Sequence, residues 1–176
     1  MGVYNDDCLS GTVMRDNVFY KVQRALFLGG GVDFLCDGNV LIECTPGIEI
    51  DGRGQSDHHV WRNMVTNYMR TRFYNIDGDA GVSGAEPPYI TKYPELKKID
   101  DYYKSSDAPH IPPSATITNN IFVVNADIAE EQRIKRTWNT DGGTFEMENN
   151  RDMTLDEVLP LLTDRQKDVI TGRVAF

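Results

Sequence analysis

The sequence predicts a mainly β protein whose short strands stack as a parallel solenoid, with a helical insertion and a helical C-terminal segment. The first observation is an internal repeat: residues 12–20, TVMRDNVFY, match residues 34–42, FLCDGNVLI, and residues 115–123, ATITNNIFV. The second is the spacing of 22 residues between Asn17 and Asn39, which lies in the range of solenoid repeats. Because a strand of about five residues with one apolar face is unstable alone, stacked copies are expected to bury a continuous core.

An asparagine stands between the two apolar strands of each copy. Asparagine tolerates left-handed backbone geometry at a turn, and its side chain can hydrogen-bond to the equivalent asparagine one coil away. A fainter fourth copy, GTFEMEN, ends at Asn149. We therefore expect an internal ladder, with a structural role, formed by Asn17, Asn39, Asn120 and Asn149.

The repeat is interrupted within what we interpret as a single domain spanning the whole chain of 176 residues. Coils are predicted at residues 3–54 and 114–150, and the long segment between them, residues 55–113, is predicted as an insertion. Residues 154–172 are predicted as a helical C-terminal cap.

Three segments carry helical patterns. An apolar stripe at helical spacing predicts a helix over residues 56–70, and YPEL at 93–96 is typical of a helix with proline in its first turn. The sequence TLDE at 154–157 is typical of a capping box in front of an apolar run. We expect this last segment to cover the open end of the solenoid, with a partner-binding helix as the alternative.

The net charge of -9 disfavours binding to nucleic acid phosphates. No apolar run has the length of a membrane span, and the N-terminal residues lack the pattern of a signal peptide. Strand-like sequence begins within a few residues of Met1, as in a piece of a longer protein. The odd number of cysteines, without a CxxC pair, argues against a disulfide framework or a zinc knuckle, and Cys36 and Cys44 are expected to be buried.

Four motifs together resemble a known superfamily. They are YNDDCLSG at 4–11, GGGVDFLCDGNVLIEC at 29–44, DGRG at 51–54 and YPEL at 93–96. They resemble right-handed parallel β-helix proteins of the pectate-lyase-like superfamily, and most of all a branch from polysaccharide-degrading bacteria with GGGxD, DxRG and YPEL motifs. The resemblance covers residues 3–125.

The resemblance implies carbohydrate-related work: a glycosidase or lyase acting on a polysaccharide, or a truncated relative of one. A non-catalytic module that binds glycans or serves as a scaffold is the alternative. It also implies a secreted or periplasmic location for the parent family. Two residues depart from the branch, namely Phe34 where asparagine is usual and Cys8 where glycine is more usual. Proteins of the branch are typically longer, so coils that precede Met1 would be missing.

The repeat period also predicts an acidic edge. A period of 22 residues places Asp7, Gly29 and Asp51 in one stacked row, with Arg53 and Gly31 two positions further on. Two strand spacings amount to roughly 9–10 Å, close to the separation of about 6.5–9.5 Å between the carboxyl groups of inverting glycosidases. Gly29 is expected to leave a gap between the two carboxylates, and the small residues Gly29–Gly31 are expected to form an open groove for a sugar ring. We therefore assign catalysis to these two aspartates and to the arginine. The alternative is a tight DGRG turn with a local ion pair, and an edge aspartate that deters end-to-end pairing.

Five further residues are candidates for binding the sugar. Histidine can shuttle protons or bind metals, and aromatic rings offer faces on which sugars stack. The candidates are Asp6, His58, His59, Trp61 and Tyr89, and for each the alternative is an ordinary packed or solvent-facing residue.

No cofactor is assigned, although the acidic, glycine-rich loop NIDGDAG with Asp77 and Asp79 is a candidate for calcium. This loop lacks the spacing and the distal glutamate of an EF-hand, and a solvated loop is the alternative. The expected partner is a polysaccharide or oligosaccharide, without nucleic acid or membrane. An exposed coil edge also predicts association of copies of the chain.

Overall fold

The computed structural model gives the fold of most of the chain. The residues it describes are 1–6, 9–52, 70–76, 78, 81–94, 96–104, 113–124, 132–137, 140 and 142–173. They fall into two compact units. The first comprises Met1–Arg53 with Pro112–Phe176, and the second is Gly54–Ile111, which corresponds closely to the predicted insertion.

In its described residues, the first unit contains twelve short strands in three sheets of four strands each. The strands, in chain order, are β1 Val3–Asn5, β2 Val13–Arg15, β3 Val18–Tyr20, β4 Leu26–Gly29, β5 Phe34–Asp37, β6 Val40–Ile42, β7 Ile48–Asp51, β8 Ser114–Thr118, β9 Ile121–Val123, β10 Ile134–Thr137, β11 Thr144–Glu148 and β12 Arg151–Asp152. Sheet A has the order β1-β4-β7-β10, sheet B the order β2-β5-β8-β11, and sheet C the order β3-β6-β9-β12.

The chain passes through sheets A, B and C in the same order four times. Each pass contributes one strand to each sheet and is called a coil here, numbered 1 to 4. All of the pairings are parallel. The mainly β class and the stacking of short parallel strands are therefore confirmed, and the three segments first recognised as repeats contribute strands to coils 1, 2 and 3.

An asparagine ladder links the four coils between sheets B and C. Asn17 Nδ2 donates to Asn39 Oδ1 at 3.0 Å, and Asn39 Nδ2 donates to Asn120 Oδ1 at 2.9 Å. Asn120 Nδ2 donates to Asn150 Oδ1, also at 2.9 Å. Asn39 and Asn120 are completely buried. The ladder satisfies polar groups that would otherwise destabilise the interior.

The fourth member of the ladder is Asn150, so the prediction of Asn149 is wrong by one position. Asn149 lies in line with Asn119, and both have positive φ angles of 55° and 57°. Gly38 holds the same position in coil 2, with a φ of 65°. The residue with left-handed backbone geometry therefore precedes the ladder asparagine. The sequence prediction gave the left-handed geometry and the ladder hydrogen bond to one residue, whereas two neighbouring residues share them.

The core lies between the three sheets. Leu26 and Ile48 face it from sheet A, Cys36 and Ile117 from sheet B, and Leu41 from sheet C. Each of these side chains is almost completely buried, as alternation along the strands requires. Cys36 is completely buried, as predicted, and this burial raises the pKa of its thiol to about 12.

The C-terminal segment is helical as predicted, but it packs on a side of the sheets. It consists of an α-helix at Leu155–Val158, a 3₁₀ turn at Leu159–Leu161 and an α-helix at Asp164–Ile170. Val158, Leu162 and Ile170 pack against the outer face of sheet C, on side chains that include Val40 and Ile121. Strands β6 and β9 are apolar on both faces, so their outer face also needs a cover.

The second unit is described by itself. Residues 70–74 are helical, and two short helices follow at Tyr89–Lys92 and Leu96–Lys104. Most of the helix predicted over 56–70 lies outside the described residues. Tyr74 donates to the buried Asp100 carboxylate at 3.0 Å, and Lys104 pairs with the same carboxylate at 2.6 Å.

Candidate functional site

The acidic row predicted from the repeat lies on the outer face of sheet A. Gly29 stands in register with Asp51, and Asp51 with Thr137 on the next strand. Since Leu28 and Ile50 face the core, the following position on each strand faces outward. The Thr137 hydroxyl donates back to Ile50 O at 3.3 Å. The predicted alignment of Gly29 with Asp51 is therefore confirmed.

On the other side of Gly29 the row continues to Asp6. Asn5 pairs with Leu28, so the next residue, Asp6, stands opposite Gly29. The Asp6 Cα lies 3.4 Å from the place that a Cβ on Gly29 would occupy. The prediction assigned this place to Asp7, which lies outside the described residues. Asn5 pairs with Leu28 and Val13 with Leu35, so coil 1 is one residue longer than coil 2 between these paired positions. Counting back by a constant period therefore gives the wrong neighbour.

The glycines of the triplet are explained by close approach of the backbone. A Cβ on Gly29 would lie 2.6 Å from Asn5 O, and a Cβ on Gly31 would collide with the Leu9 carbonyl group. Only glycine fits at such positions. The prediction of an open gap above the triplet therefore needs correction, because the backbone of coil 1 already lies beside these two residues.

The outer face of sheet A is buried at coils 2 and 3. Phe27, Glu49 and Asp51 face outward, yet only 1%, 5% and 7% of their surfaces are exposed. Arg24 Nε lies 2.9 Å from Glu49 Oε2, and the Arg24 guanidinium lies over the Phe27 ring at 5.2 Å. Tyr4 stacks on Phe27 with ring centroids 4.8 Å apart. Asp51 therefore stands at the end of a covered patch and not in the open groove that the sequence predicted.

The patch of Tyr4, Phe27, Glu49 and Arg24 was missed by the sequence reasoning. The signal was present, because Phe27 and Glu49 are separated by the same period as Gly29 and Asp51 and stand in register. A charged residue that repeats the position of a phenylalanine indicates a buried ion pair, since an unpaired charge would be costly there.

The remaining predicted site residues are not brought to this row by the described structure. Arg53, His58, His59 and Trp61 lie outside the described residues. Tyr89 begins the short helix Tyr89–Lys92 of the second unit, and 44% of its surface is exposed. Its role in stacking on a sugar stays a prediction.

A second charged cluster lies on the outer face of sheet B. The Asp37 carboxylate accepts hydrogen bonds from Asn119 Nδ2 at 2.8 Å and Thr118 Oγ1 at 2.9 Å, and Arg15 Nε donates to its other oxygen at 3.0 Å. The bonds from Asn119 and Thr118, together with the Arg15 charge, hold the pKa of Asp37 below its usual range. These bonds link residues of coils 1, 2 and 3, so we expect the cluster to stabilise the stacking of the coils.

The lowered pKa of Asp37 predicts a pH dependence. A carboxyl whose folded pKa is depressed contributes stability above its unfolded pKa, near pH 3.9, and this contribution is lost as the pH falls through the folded pKa. Asp37→Asn should therefore be less stable than the parent near neutral pH, and the difference should shrink below about pH 4. Urea unfolding of both proteins between pH 2 and 7 measures this. A difference that is constant across the range would contradict it.

The described part of the chain contains no group of three or more histidine, cysteine, aspartate or glutamate side chains arranged to hold a metal ion. Asp77 and Asp79 of the candidate calcium loop lie outside it. None of its helices has the length and apolar character needed to cross a membrane.

Comparisons with known proteins identify no relative. No protein-family model matches the chain, and neither a curated protein nor a solved structure matches it significantly.

Proposed function

We propose that this chain is a carbohydrate-active protein with a right-handed parallel β-helix fold, and that it holds its sugar at the row of Asp6, Gly29 and Asp51. The observation that supports this is the register of the row, in which Asp6, directly after β1, and Asp51, on β7, stand to either side of Gly29. Their strands are two spacings apart, or roughly 9–10 Å. Carboxylates at such a distance suit hydrogen bonding to the hydroxyl groups of one sugar ring.

The reaction that fits this spacing is hydrolysis with inversion, in which one carboxyl group protonates the leaving oxygen and the other activates water. In the proposal Asp51 and Asp6 share these roles, with Asp6 replacing Asp7 of the original assignment. Elimination on a uronic acid is the other reaction considered, and it would recruit the Arg53 guanidinium.

The test uses the full chain on an array of neutral and uronic oligosaccharides, with mass spectrometry to detect products. Asp51→Asn should lower retention or turnover of the bound oligosaccharide at least tenfold. Asp156→Asn is the matched control, since it makes the same change at an exposed position in the helix Leu155–Val158. Full turnover by Asp51→Asn would remove this residue from the site.

A non-catalytic module that binds glycans, or serves as a scaffold, is the second candidate. The burial of Asp51 to 7% exposure favours the scaffold role within this candidate, because a carboxyl group must reach the sugar whether it catalyses or only binds. Retention of an oligosaccharide without any product would favour this candidate over the enzyme. Failure of the array to retain any oligosaccharide would contradict both binding proposals and leave the scaffold role.

A further inference from the structure

The asparagine ladder has a direction. In each step the Oδ1 atom of one asparagine accepts bonds from both the backbone N–H and the Nδ2 group of the preceding asparagine. Asn39 Oδ1 accepts from Asn17, Asn120 Oδ1 from Asn39, and Asn150 Oδ1 from Asn120, at 2.9–3.2 Å. The two ends of the ladder are therefore chemically different.

At the coil 1 end the ladder presents an acceptor, and at the coil 4 end it presents donors. Within the described residues, no group donates to Asn17 Oδ1. In the same part of the chain, the Asn150 backbone N–H has no acceptor, and its Nδ2 group bonds only to Ile117 O. An Oδ1 atom placed over coil 4 would receive both donors of Asn150, as in every earlier step.

A second series of bonds has the same open end. Asn39 Nδ2 also donates to Met14 O, Asn120 Nδ2 to Cys36 O and Asn150 Nδ2 to Ile117 O, each on the preceding coil. Asn17 has no preceding coil in the described chain, and its Nδ2 donates to Arg15 O instead. The next acceptor in the Met14–Cys36–Ile117 row is Met147 O on coil 4.

The charges at the two ends are also complementary. Arg15, Asp37, Thr118 and Glu148 form one outward row of sheet B, with the exposed Arg15 on coil 1 and the exposed Glu148 on coil 4. A second copy stacked in register on coil 4 would place the backbone of its Arg15 one strand spacing, about 4.8 Å, from that of Glu148. Arg15 Nε bonds to Asp37 within its own copy, so Glu148 would meet the other guanidinium nitrogens. The partly exposed Met147 would then lie beneath Met14 of that copy.

We propose that copies of this chain stack head to tail, with coil 1 of one copy pairing in parallel with coil 4 of the next. The hydrogen bonds of the ladder then run on from Asn150 to Asn17, and Arg15 meets Glu148. Because opposite ends meet, the contact is heterologous, and each added copy leaves a free end to which a further copy can bind. The proposal is independent of the sugar site.

Two observations define the contact further. Asp152 on coil 4 occupies the row of Phe19, but its carboxylate is already paired with Arg133 Nε at 2.6 Å, so it enters the contact with its charge compensated. In a contact between two coil 1 ends, both surfaces would carry the Asn17 Oδ1 acceptor and the Arg15 charge, and neither would supply the donors of Asn150 or the Glu148 carboxylate. The polarity of the ladder therefore favours head-to-tail over head-to-head association.

Sedimentation velocity across a range of protein concentrations, at about 0.15 M ionic strength to limit long-range repulsion, measures the association. Glu148→Lys should weaken it about tenfold or more, because the introduced ammonium group would face the Arg15 guanidinium of the next copy. Glu146→Lys is the matched control: it makes the same change of charge on the same strand, but in the row of Val13, and should leave association nearly unchanged. A chain that stays monomeric, or equal effects of the two variants, would overturn the proposal.

Cross-linking tests the polarity. In a Cys8→Ser background, Val13→Cys and Glu146→Cys are made as separate proteins, because the exposed Val13 and Glu146 end the same row on coils 1 and 4. Neighbouring parallel strands bring Cα atoms to about 4.8 Å, within disulfide range. After mild oxidation, only the mixture should form covalent dimers. Dimers of Val13→Cys alone or of Glu146→Cys alone would show like ends meeting and would overturn the proposal.

Discussion

Asn39→Ala should lower the free energy of unfolding by about 3–5 kcal/mol, as expected when several buried polar groups lose their partners together. The side chain is completely buried and makes four hydrogen bonds: it donates to Met14 O and Asn120 Oδ1, and it accepts from the backbone and side chain of Asn17. Removing it leaves Met14 O without this donor inside the core. Urea unfolding at constant pH measures the loss.

Asn17→Ala is the matched control for this prediction. Asn17 is exposed at the end of the ladder, where water replaces the lost partners, so its removal should cost only about 1 kcal/mol. Equal losses at the buried and exposed positions would contradict the ladder as a source of stability that depends on burial.

Val158→Asp should lower the free energy of unfolding by a similar amount, about 3–5 kcal/mol, because it places a charge without a partner in an apolar interface. Val158 is completely buried against the outer face of sheet C, together with Leu162 and Ile170. Hydrogen exchange should also show faster exchange across residues 155–170, as the C-terminal helices lose their attachment to the sheet.

The 3₁₀ turn supplies the control for this change. Leu161 is 59% exposed and lies three residues after Val158. Leu161→Asp should change the free energy of unfolding by no more than about 0.5 kcal/mol. A comparable loss in both variants would mean that the C-terminal segment does not pack through Val158.

The sequence predicted those parts of the fold that depend on a constant repeat. Asn17 and Asn39 were found because the strands on both sides of these residues pair between coils 1 and 2 with one constant offset of 22 residues. The ladder member of coil 4 and the neighbour of Gly29 were each misplaced by one residue. Between paired positions on the first two strands, coil 1 is one residue longer than coil 2, which shifts the neighbour of Gly29. At coil 4 the sequence match set Thr144 against Thr12, whereas the register places Thr144 in the row of Gly11, so the count ended one residue short.

The position of the C-terminal helices does not follow from the repeat. Their caps were predictable, and Thr154 accepts from the Glu157 backbone N–H while the Glu157 carboxylate accepts from Thr154. The bonds from Thr154 hold the pKa of Glu157 below its usual range. What sequence patterning could have added is that VLI at 40–42 and IFV at 121–123 are apolar on both faces, which indicates a cover on the outer side of the sheet.

The alignment of Asp51 with Gly29 was predictable from the sequence, but the exposure of Asp51 was not. Periodic counting placed Asp51 beside Gly29, whereas the burial of Asp51 depends on packing that no periodicity contains. The same is true of the Arg24–Glu49 pair, whose partners come from a turn and from a strand of the next coil.

The central functional claim is that sheet A, at the row of Asp6, Gly29 and Asp51, receives the sugar. Titration of the isotope-labelled chain with an oligosaccharide retained on the array, followed by two-dimensional NMR of the backbone amides, tests it directly. The claim predicts that the amide signals of Gly29 and Asp51 shift with ligand concentration while those of Asp37 and Thr118 on sheet B stay in place. Shifts confined to sheet B, or the absence of any shift at Gly29 and Asp51, would contradict it.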